Sequence, residues 1–390
     1  MRRNALSLSA LFLFLAMLPI AQAADSAAAT VAGTNNKLCD PFAYDTTLTA
    51  RDPLRWPFSQ ESIWNTPIGS GAKYVPTDLE TPVGGTLSAD EILIILTPNE
   101  PLMELYENDA GWDKTKNRMK ITGGLFGRYP IPRSFEVSPV TWQGLTPNST
   151  TAILMPDRKT LFQTQPFAHG KDAPYATSGF TFPDADIIGD GCYGAHGGSG
   201  LSAMGGTLRI DELTPTSGPI RHALKIEFDI TRNVYCDDQT KGLRWPDIKE
   251  DGVGHVACGK SRTKSSPIPK ACRMGALCAI PAATNLDDFK FETVPGKMLA
   301  KAFQDYGAYY VDGNDSNAFA IATEWSPAGR FTTAFKQNWG FDFRSVKTDN
   351  PWARDVAKIF AALNIVDNNS PTSIGGGGTP RAPLAPPLLK

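Results

Sequence analysis

The side chains best suited to chemistry lie in a glycine-rich stretch, residues 189–206, which contains Tyr193, His196 and Ser199. Eight residues of this stretch are glycine. Because each glycine costs about 0.5–1 kcal/mol relative to alanine inside a helix or strand, the stretch is a poor candidate for either element. Glycine also lets the backbone approach a ligand or another strand closely. The stretch therefore predicts the wall of a site that presents Tyr193 and His196 to a cleft.

Tyr193 and His196, with Arg221 and His222 further along the chain, are the candidate catalytic residues. They suit β-elimination on a uronic-acid polymer, in which His196 takes the proton next to the carboxylate and Tyr193 donates one to the leaving oxygen. Arg221 or His222 binds the substrate, the arginine by offsetting its carboxylate charge. The residue types fit this chemistry, although their spacing is not specific to it.

Pairs of carboxylates leave hydrolysis open as the other reaction. Glu227 and Asp229 alternate along a predicted strand and so share one face of it, and glycosidases use two such groups. Three more acids lie just before or within the glycine-rich stretch: Asp184, Asp186 and Asp190. The ordinary interpretation of the strand pair is that both acids face solvent.

The sequence predicts no cofactor, because it contains no H-x-H or H-E-x-x-H spacing for a metal. A metal centre built from His196, His222 and one aspartate stays open as an alternative. A structural Ca²⁺ held by Asp184, Asp186 and Asp190 is a further alternative, although these acids lack the EF-hand pattern.

Three tryptophans, Trp56, Trp64 and Trp245, are candidate sugar-stacking residues. Residues 56–68 combine two tryptophans, two prolines and a phenylalanine, which indicates an extended segment docked by its aromatic rings. The competing interpretation is that these rings cover one edge of the core. Asp190 and Ser199 complete the predicted substrate-binding set, since both lie in the glycine-rich stretch.

The N-terminal residues predict export. A basic start, an apolar run and an Ala-x-Ala site define a signal peptide at residues 1–23. We then expect a flexible arm at 24–48, a single β-rich domain at 49–367 and a disordered Pro/Gly-rich tail at 368–390. After signal cleavage no stretch is apolar for long enough to span a membrane, so a secreted or periplasmic location is expected. The net charge of −2, without charge clusters, argues against nucleic-acid partners.

Six cysteines in an exported chain predict three structural disulfides. Closeness in sequence favours the pairs Cys236–Cys258 and Cys272–Cys278. Cys39 then remains to join Cys192, which lies in the glycine-rich stretch. Because six cysteines allow 15 pairings, other connectivities stay open.

The hydrophobic pattern predicts a mainly β fold, a jelly roll or β-sandwich with a few short peripheral helices. Short apolar runs such as 91–97, 151–155 and 160–165 are bounded by turn-forming residues. Residues 231–285 hold four cysteines and little periodicity, which predicts an irregular region stapled by disulfides. Helices are expected at 297–306 and after Asn350, where Asn350 caps the helix and Pro351 takes its first position.

Three segments of the chain resemble a group of secreted bacterial proteins of unsettled function. They are residues 194–202 (GAHGGSGLS), 205–209 (GGTLR) and 218–224 (GPIRHAL), and the likeness extends to 57–67 and 305–309. The resemblance implies that these segments, within about residues 50–345, belong to one domain. It implies no particular activity and no catalytic residues.

The export signal, the aromatic content and the glycine-embedded Tyr193 and His196 predict a secreted carbohydrate-active enzyme that acts on a polysaccharide or oligosaccharide. It cleaves glycosidic bonds either as a polysaccharide lyase or as a glycoside hydrolase. The alternative is a non-catalytic extracellular glycan-binding or cell-surface protein, in which the three tryptophans stack on sugar rings.

Overall fold

The computed structural model describes residues 40–82, 86–137, 148–239, 241–251, 257–314, 318–345 and 349–389 of the 390-residue chain. The predicted signal peptide and most of the predicted N-terminal arm lie outside these residues. The described strands are β1 Tyr74–Pro76, β2 Leu87–Ile95, β3 Leu102–Glu107, β4 Leu125–Pro130, β5 Thr151–Leu154, β6 Thr160–Ala168, β7 Tyr175–Asp186, β8 Tyr193–His196, β9 Leu224–Phe228, β10 Leu277–Ala279, β11 Ala308–Gly313, β12 Phe319–Ser326, β13 Gly329–Arg330 and β14 Asn364–Val366.

The described α-helices are few and short. They are α1 Ile230–Asn233, α2 Val294–Asp305, α3 Phe331–Trp339 and α4 Pro351–Ala361, and two single turns of 3₁₀-helix lie at Leu286–Phe289 and Ile374–Gly376. None of these helices combines the length and the apolar character that a membrane span needs.

Thirteen of the described strands form one mixed sheet in the order β1-β14-β10-β11-β9-β12-β2-β5-β6-β7-β3-β4, with β13 paired to β12. Four neighbouring pairs are parallel, namely β11/β9, β12/β2, β2/β5 and β3/β7, and the others are antiparallel. The prediction of a mainly β fold with a few short helices is confirmed. Jelly rolls and sandwiches consist of two packed sheets, so that finer assignment stays a prediction.

One face of the central sheet packs against helices α2 and α4. The ring of Phe360 in α4 stacks on Phe319 of β12 with 4.2 Å between centroids, and it meets Phe228 of β9 edge-on at 6.2 Å. Phe303 of α2 lies 5.8 Å from the same ring. Buried aromatic rings contribute large apolar areas to a core, so this cluster fixes the helices to the middle of the sheet.

The glycine-rich stretch lies against the opposite face of the sheet. Gln163 of β6 holds it at two points, since its Oε1 accepts the backbone N–H groups of Ala195 at 3.4 Å and Ala203 at 2.9 Å. Trp64, which is 1% exposed, donates its indole N–H to the Gly191 carbonyl at 2.8 Å. The stretch therefore forms the cover of this face.

Residues 368–389 pack onto the domain, so the predicted disordered tail is wrong. Leu389 donates its backbone N–H to the Arg51 carbonyl at 2.8 Å, and Arg51 donates its own to the Pro387 carbonyl at 2.9 Å. Ala382 is buried in the apolar cluster under the glycine-rich stretch. The Pro/Gly composition indicated the absence of regular structure, whereas contacts with residues far away in sequence order this segment.

The cysteines are paired only in part as predicted. The Cys236–Cys258 disulfide is present and staples the irregular region, which confirms that prediction. Cys272 and Cys278 are free thiols buried in the helix-facing core, so their predicted disulfide is wrong. Cys192 is also a buried free thiol, and Cys39, its predicted partner, lies outside the described residues.

Candidate functional site

Five polar side chains converge between the sheet and the glycine-rich stretch: Asp90 of β2, His196 of β8, Lys225 and Glu227 of β9, and Asp312 of β11. We call these five residues the buried polar centre. His196 and Lys225 have no exposed surface. The side chains of Asp90 and Asp312 are 11% and 8% exposed, so the centre is almost closed to solvent.

The alternation of side chains along β9 explains the direction of Lys225 and Glu227. Leu224, Ile226 and Phe228 belong to the helix-facing core, and successive side chains of a strand point to opposite faces. Lys225 and Glu227 therefore face the glycine-rich stretch. A strand with this pattern usually presents its polar residues to water, but here the stretch covers them.

A β-bulge places Asp312 on the same face. Tyr310 pairs with Ile226 of β9, and the next pairing joins Asp312, not Val311, to Glu227. The extra residue shifts the alternation along β11 by one position, so that the aspartate stands beside Glu227. Bulges are common next to active sites, where they redirect a side chain in this way.

His196 lies between two carboxylates. Its Nε2 is 3.3 Å from Asp90 Oδ2, and its Nδ1 is 3.9 Å from Asp312 Oδ2. Neither ring nitrogen has a hydrogen-bond partner among the described residues, and the same holds for Asp90 Oδ2 and Glu227 Oε1. Because buried polar atoms nearly always have a partner, this group of atoms is the candidate ligand site of the described residues.

The two glycines after His196 allow the stretch to approach Asp312. A Cβ atom at Gly197 would lie 2.2 Å from Asp312 Oδ2, and one at Gly198 would lie 2.6 Å from Oδ1. The Gly198 backbone also hydrogen-bonds this carboxylate. A side chain at either position displaces a buried carboxylate, which explains why glycine occupies both.

Lys225 fastens the glycine-rich stretch to the sheet. Its Nζ donates hydrogen bonds to the carbonyls of Ser202 at 3.0 Å and Ala203 at 2.7 Å. Burial lowers the pKa of Lys225 to about 7, although Asp90 and Glu227 act in the opposite direction. Lys225 thus binds backbone carbonyls, and among the described residues it has no hydrogen bond to a carboxylate.

The pKa values of the acids of the centre shift in different directions. Burial, reinforced by neighbouring carboxylates, raises the pKa of Glu227 and of Asp312 well above the usual range. Burial also acts to raise the pKa of Asp90, but contact with His196 outweighs it and the net shift is downward. Burial lowers the pKa of His196 to about 4. Asp247, buried nearby with both oxygens unpartnered, has its pKa raised well above normal by burial and then by Asp312.

Tyr193 and His196 do not form the predicted catalytic pair. Tyr193 is 42% exposed, whereas His196 is fully buried. The ring of His196 faces Asp90 and Asp312, while the electrostatic neighbours of Tyr193 include Cys192. The expectation that His196 opens into a cleft is wrong, because the space that its glycine neighbours leave is filled by the sheet.

Arg221 does not join His196 either. Its guanidinium lies over the rings of Tyr44 and Trp56 at 5.6 and 5.7 Å, and it donates to the Asp45 carbonyl at 3.3 Å. The arginine therefore holds the segment before the domain core. The three residues predicted for β-elimination, Tyr193, His196 and Arg221, are therefore not brought together.

His222 forms an ion pair away from the buried polar centre. Its Nε2 lies 3.0 Å from Glu212 Oε2, and its Nδ1 lies 2.9 Å from the Ala223 carbonyl. Both nitrogens face acceptors, so both carry a proton in the best arrangement. Burial alone lowers the pKa of His222, but Glu212 outweighs it and the net shift is upward. Burial alone raises the pKa of Glu212, but the contact with His222 outweighs burial and the net shift of this pKa is downward.

The His222–Glu212 pair predicts a pH-dependent coupling. The contribution of His222, whose folded pKa is raised from 6.5, is full below pH 6.5 and is lost as the pH rises through the folded value. That of Glu212, whose folded pKa is lowered from 4.5, is full above pH 4.5 and is lost on acidification. We expect a double-mutant cycle of His222→Gln and Glu212→Gln, measured by denaturant unfolding, to give a coupling free energy of about 1.5–3 kcal/mol between pH 4.5 and 6.5. Equal coupling at alkaline pH would contradict this assignment.

The three predicted sugar-stacking tryptophans do not form an exposed platform. Trp64 is buried in the core, so the stacking prediction is wrong for it and the competing interpretation is correct. Trp56 is half-buried and has the Arg51 guanidinium 5.3 Å from its ring. Trp245 is half-buried and packs against the apolar cluster under the glycine-rich stretch.

Ser199 and Asp190 shape the backbone of the glycine-rich stretch. Ser199 is fully buried, and its Oγ accepts the N–H of Leu201 at 3.2 Å. Asp190 Oδ1 accepts the N–H of Cys192 at 3.1 Å. These local hydrogen bonds stabilise turns, and neither side chain lies among the five residues of the centre.

The predicted pair of Glu227 and Asp229 is not formed. Asp229 lies beyond the end of β9, where it caps α1 by accepting the N–H of Thr231 at 2.9 Å. The carboxyl that accompanies Glu227 is instead Asp90, on a strand more than a hundred residues earlier.

The three acids predicted to hold Ca²⁺ have separate surroundings. Asp184 lines an open cleft of about 330 Å³, Asp186 pairs with Lys159 at 3.1 Å, and Asp190 bonds the backbone as described above. Among the described residues, the one group of three or more acidic, histidine or cysteine side chains close enough to share a metal ion is Asp90, His196 and Glu227.

Sequence reasoning missed Asp90, Lys225 and Asp312. The available signal was a charged residue inside an otherwise apolar strand, as in LKIEF of β9 and AYYVDG of β11. Charged residues are almost never fully buried unless they are paired, so their presence in central strands indicates a functional cluster. No family model, curated protein or solved structure matches the chain.

Proposed function

We propose that the protein is an exported enzyme that cleaves the glycosidic bonds of a polysaccharide, with Asp90, His196 and Glu227 as its reacting groups. One observation carries this proposal. Two carboxyl groups and an imidazole from three separate strands each bring one ligand atom within 4.8 Å of the others, and each of the three side chains has a buried atom without a hydrogen-bond partner. A fold does not bury such a group for stability alone, because each unpartnered atom costs free energy.

Hydrolysis is the reaction that this arrangement favours over β-elimination. Elimination needs a tyrosine and an arginine beside the histidine, but Tyr193 and Arg221 have other contacts. Hydrolysis needs two carboxyl groups, which Asp90 and Glu227 supply. At the short separation of these groups, Glu227 gives a proton to the leaving oxygen while Asp90 bonds to the anomeric carbon as the glycosidic bond breaks. Water then displaces Asp90 from the sugar and returns a proton to Glu227.

A substrate would have to reach this centre past Asp90 and Asp312, whose side chains are 11% and 8% exposed. The polysaccharide class rests on the predicted export signal and on the aromatic content of the chain. The geometry of the centre supplies the reacting groups, and the sugar specificity is left to the experiment.

The test is a panel of neutral and uronate polysaccharides incubated with the full chain. We expect new reducing ends without the ultraviolet absorbance of an unsaturated uronate. That absorbance would contradict hydrolysis in favour of elimination. The absence of products from every polymer would contradict the enzymatic proposal, and His196→Ala with unchanged turnover would remove the assignment to this centre.

A second candidate, glycan binding without cleavage, is favoured by a different surface. Trp112 and Phe180 are 42% and 49% exposed and stack on each other with 6.0 Å between ring centroids. Exposed aromatic rings stack on sugars, so this pair is a better platform than the three tryptophans predicted from the sequence. Retention on a polysaccharide column that Phe180→Ala abolishes, without any product, would support this candidate.

A further inference from the structure

Of the five residues of the buried polar centre, three carry carboxyl groups and one is a lysine. Asp90, Glu227 and Asp312 are carboxyl groups, and Lys225 is the lysine among the five residues. Its Nζ is bound to two backbone carbonyls. Carboxylates taken out of water are strongly destabilised unless a cation or proton compensates them. A bound metal ion satisfies this requirement directly.

Four unpartnered atoms belong to three side chains that meet at this place. Asp90 Oδ2, Glu227 Oε1 and the two ring nitrogens of His196 are buried and have no hydrogen-bond partner among the described residues. Asp90, His196 and Glu227 each offer one ligand atom, and these atoms all lie within 4.8 Å of one another. The fully buried His196 is therefore an independent sign of a ligand site beyond the acidic side chains themselves.

The ring of His196 is placed as a metal-bound imidazole usually is. Its Nε2 lies beside Asp90 Oδ2 at 3.3 Å, on the side of the candidate ligands, and its Nδ1 faces Asp312 Oδ2 at 3.9 Å. Metal-binding histidines commonly direct their other nitrogen towards a carboxylate, which fixes the tautomer and the orientation of the ring. Asp312, turned to this face by the bulge, takes that position.

We propose that Asp90, His196 and Glu227 bind one divalent transition-metal ion of the Zn²⁺ or Mn²⁺ type. One imidazole with two carboxylates matches the ligands of these ions, whereas Ca²⁺ and Mg²⁺ sites use oxygen ligands. Three protein ligands are the number found in catalytic zinc sites, which leave a position for water or substrate. As a statement about catalysis this inference rests on the proposed function and changes one part of it, since with the ion bound Asp90 and Glu227 would be its ligands and the ion would act as a Lewis acid at that centre.

The experiment uses the full chain after dialysis against a chelator. Zn²⁺, Mn²⁺, Ca²⁺ or Mg²⁺ alone is added, and binding is followed by titration calorimetry and by the thermal unfolding temperature. We expect one equivalent of Zn²⁺ or Mn²⁺ to bind and to raise the unfolding temperature, because a ligand specific to the folded state stabilises it. Uptake of none of the ions, or of Ca²⁺ or Mg²⁺ alone, would overturn the inference.

Matched variants locate the ion. Glu227→Gln and His196→Gln are expected to abolish the binding, and Asp312→Asn to weaken it about 10–100-fold. His222→Gln, which changes the other well-defined histidine pair, is expected to bind as the wild type does. Unchanged binding in Glu227→Gln and His196→Gln would refute the assigned ligands. If His196→Gln fails to fold, judged by circular dichroism, Glu227→Gln and Asp90→Asn decide the question.

These measurements use no substrate, so their outcome is separate from that of the proposed function. Metal binding without cleavage of any polysaccharide would support the metal site and contradict the enzymatic proposal. Cleavage that persists in excess chelator, with no metal uptake, would support the enzymatic proposal and contradict the metal site.

Discussion

Glu227→Gln is expected to lower the rate of polysaccharide cleavage by about 10²–10⁴-fold, which is the usual contribution of a positioned acid or base. Glutamine keeps the size of the side chain and its place on β9, so the sheet and the cover above it have no reason to move. It removes the carboxyl that, in the proposed reaction, gives a proton to the leaving oxygen. The rate is measured as reducing ends released per minute on the polymer found in the panel.

The matched control for this variant is Asp229→Asn, two residues further along the chain. Asp229 caps α1 and lies outside the buried polar centre, and asparagine is as good an N-cap as aspartate. We expect it to retain wild-type activity. Equal losses in the two variants would mean that the effect of Glu227→Gln reflects general damage to this part of the fold.

Gly205→Ala is expected to lower the free energy of unfolding by about 1–3 kcal/mol, the usual cost of overpacking a core. A Cβ atom at this position would lie 2.3 Å from Nε1 of Trp64. The indole has no freedom to withdraw, since it is buried, donates to the Gly191 carbonyl and meets the ring of Tyr309 edge-on at 5.5 Å. Because the same stretch carries His196, we also expect the centre to be distorted and cleavage to fall.

Gly124→Ala is the control for this change. A Cβ atom there has no atom within 4 Å, so its unfolding free energy should stay within about 0.5 kcal/mol of the wild type. Guanidinium denaturation of both variants measures the difference. A Gly205→Ala protein as stable as Gly124→Ala would show that the glycine-rich stretch is not packed tightly on Trp64.

Local signals were sufficient to predict several elements of the fold. The apolar run 151–155 contains β5, and 91–97 overlaps β2. Helix α4 begins as predicted, with Asn350 accepting the N–H of Ala353 and Pro351 in the first turn. These predictions depend on neighbours in sequence, namely alternation, caps and turn residues.

Other elements depend on contacts that the sequence does not state. Leu208, for example, forms an isolated bridge to Thr323, which lies more than a hundred residues further along the chain. Strand β3 and helix α3 were not predicted. The parallel pairings of β9 with β11 and of β2 with β12 decide which side chains meet, and their partners are far apart along the chain.

The same limit applies to the candidate site. His196 and Glu227 were singled out because a histidine among glycines and an acid in a strand are visible in the sequence. Asp90 joins them only through the sheet order, and Asp312 only through a bulge that shifts its side chain by one position. The burial of His196 under its own glycine-rich stretch followed from packing, which reversed the prediction of an open cleft.

The most direct test of the buried polar centre is a double-mutant cycle of Asp90→Asn and Glu227→Gln on kcat/KM for the polymer that the panel identifies. Groups that act as one catalytic unit are strongly non-additive, so removing both costs about as much as removing one. We therefore predict that kcat/KM of the double variant is at most about tenfold lower than that of the less active single variant. Losses that multiply would contradict the claim that the two carboxyl groups work together at one centre.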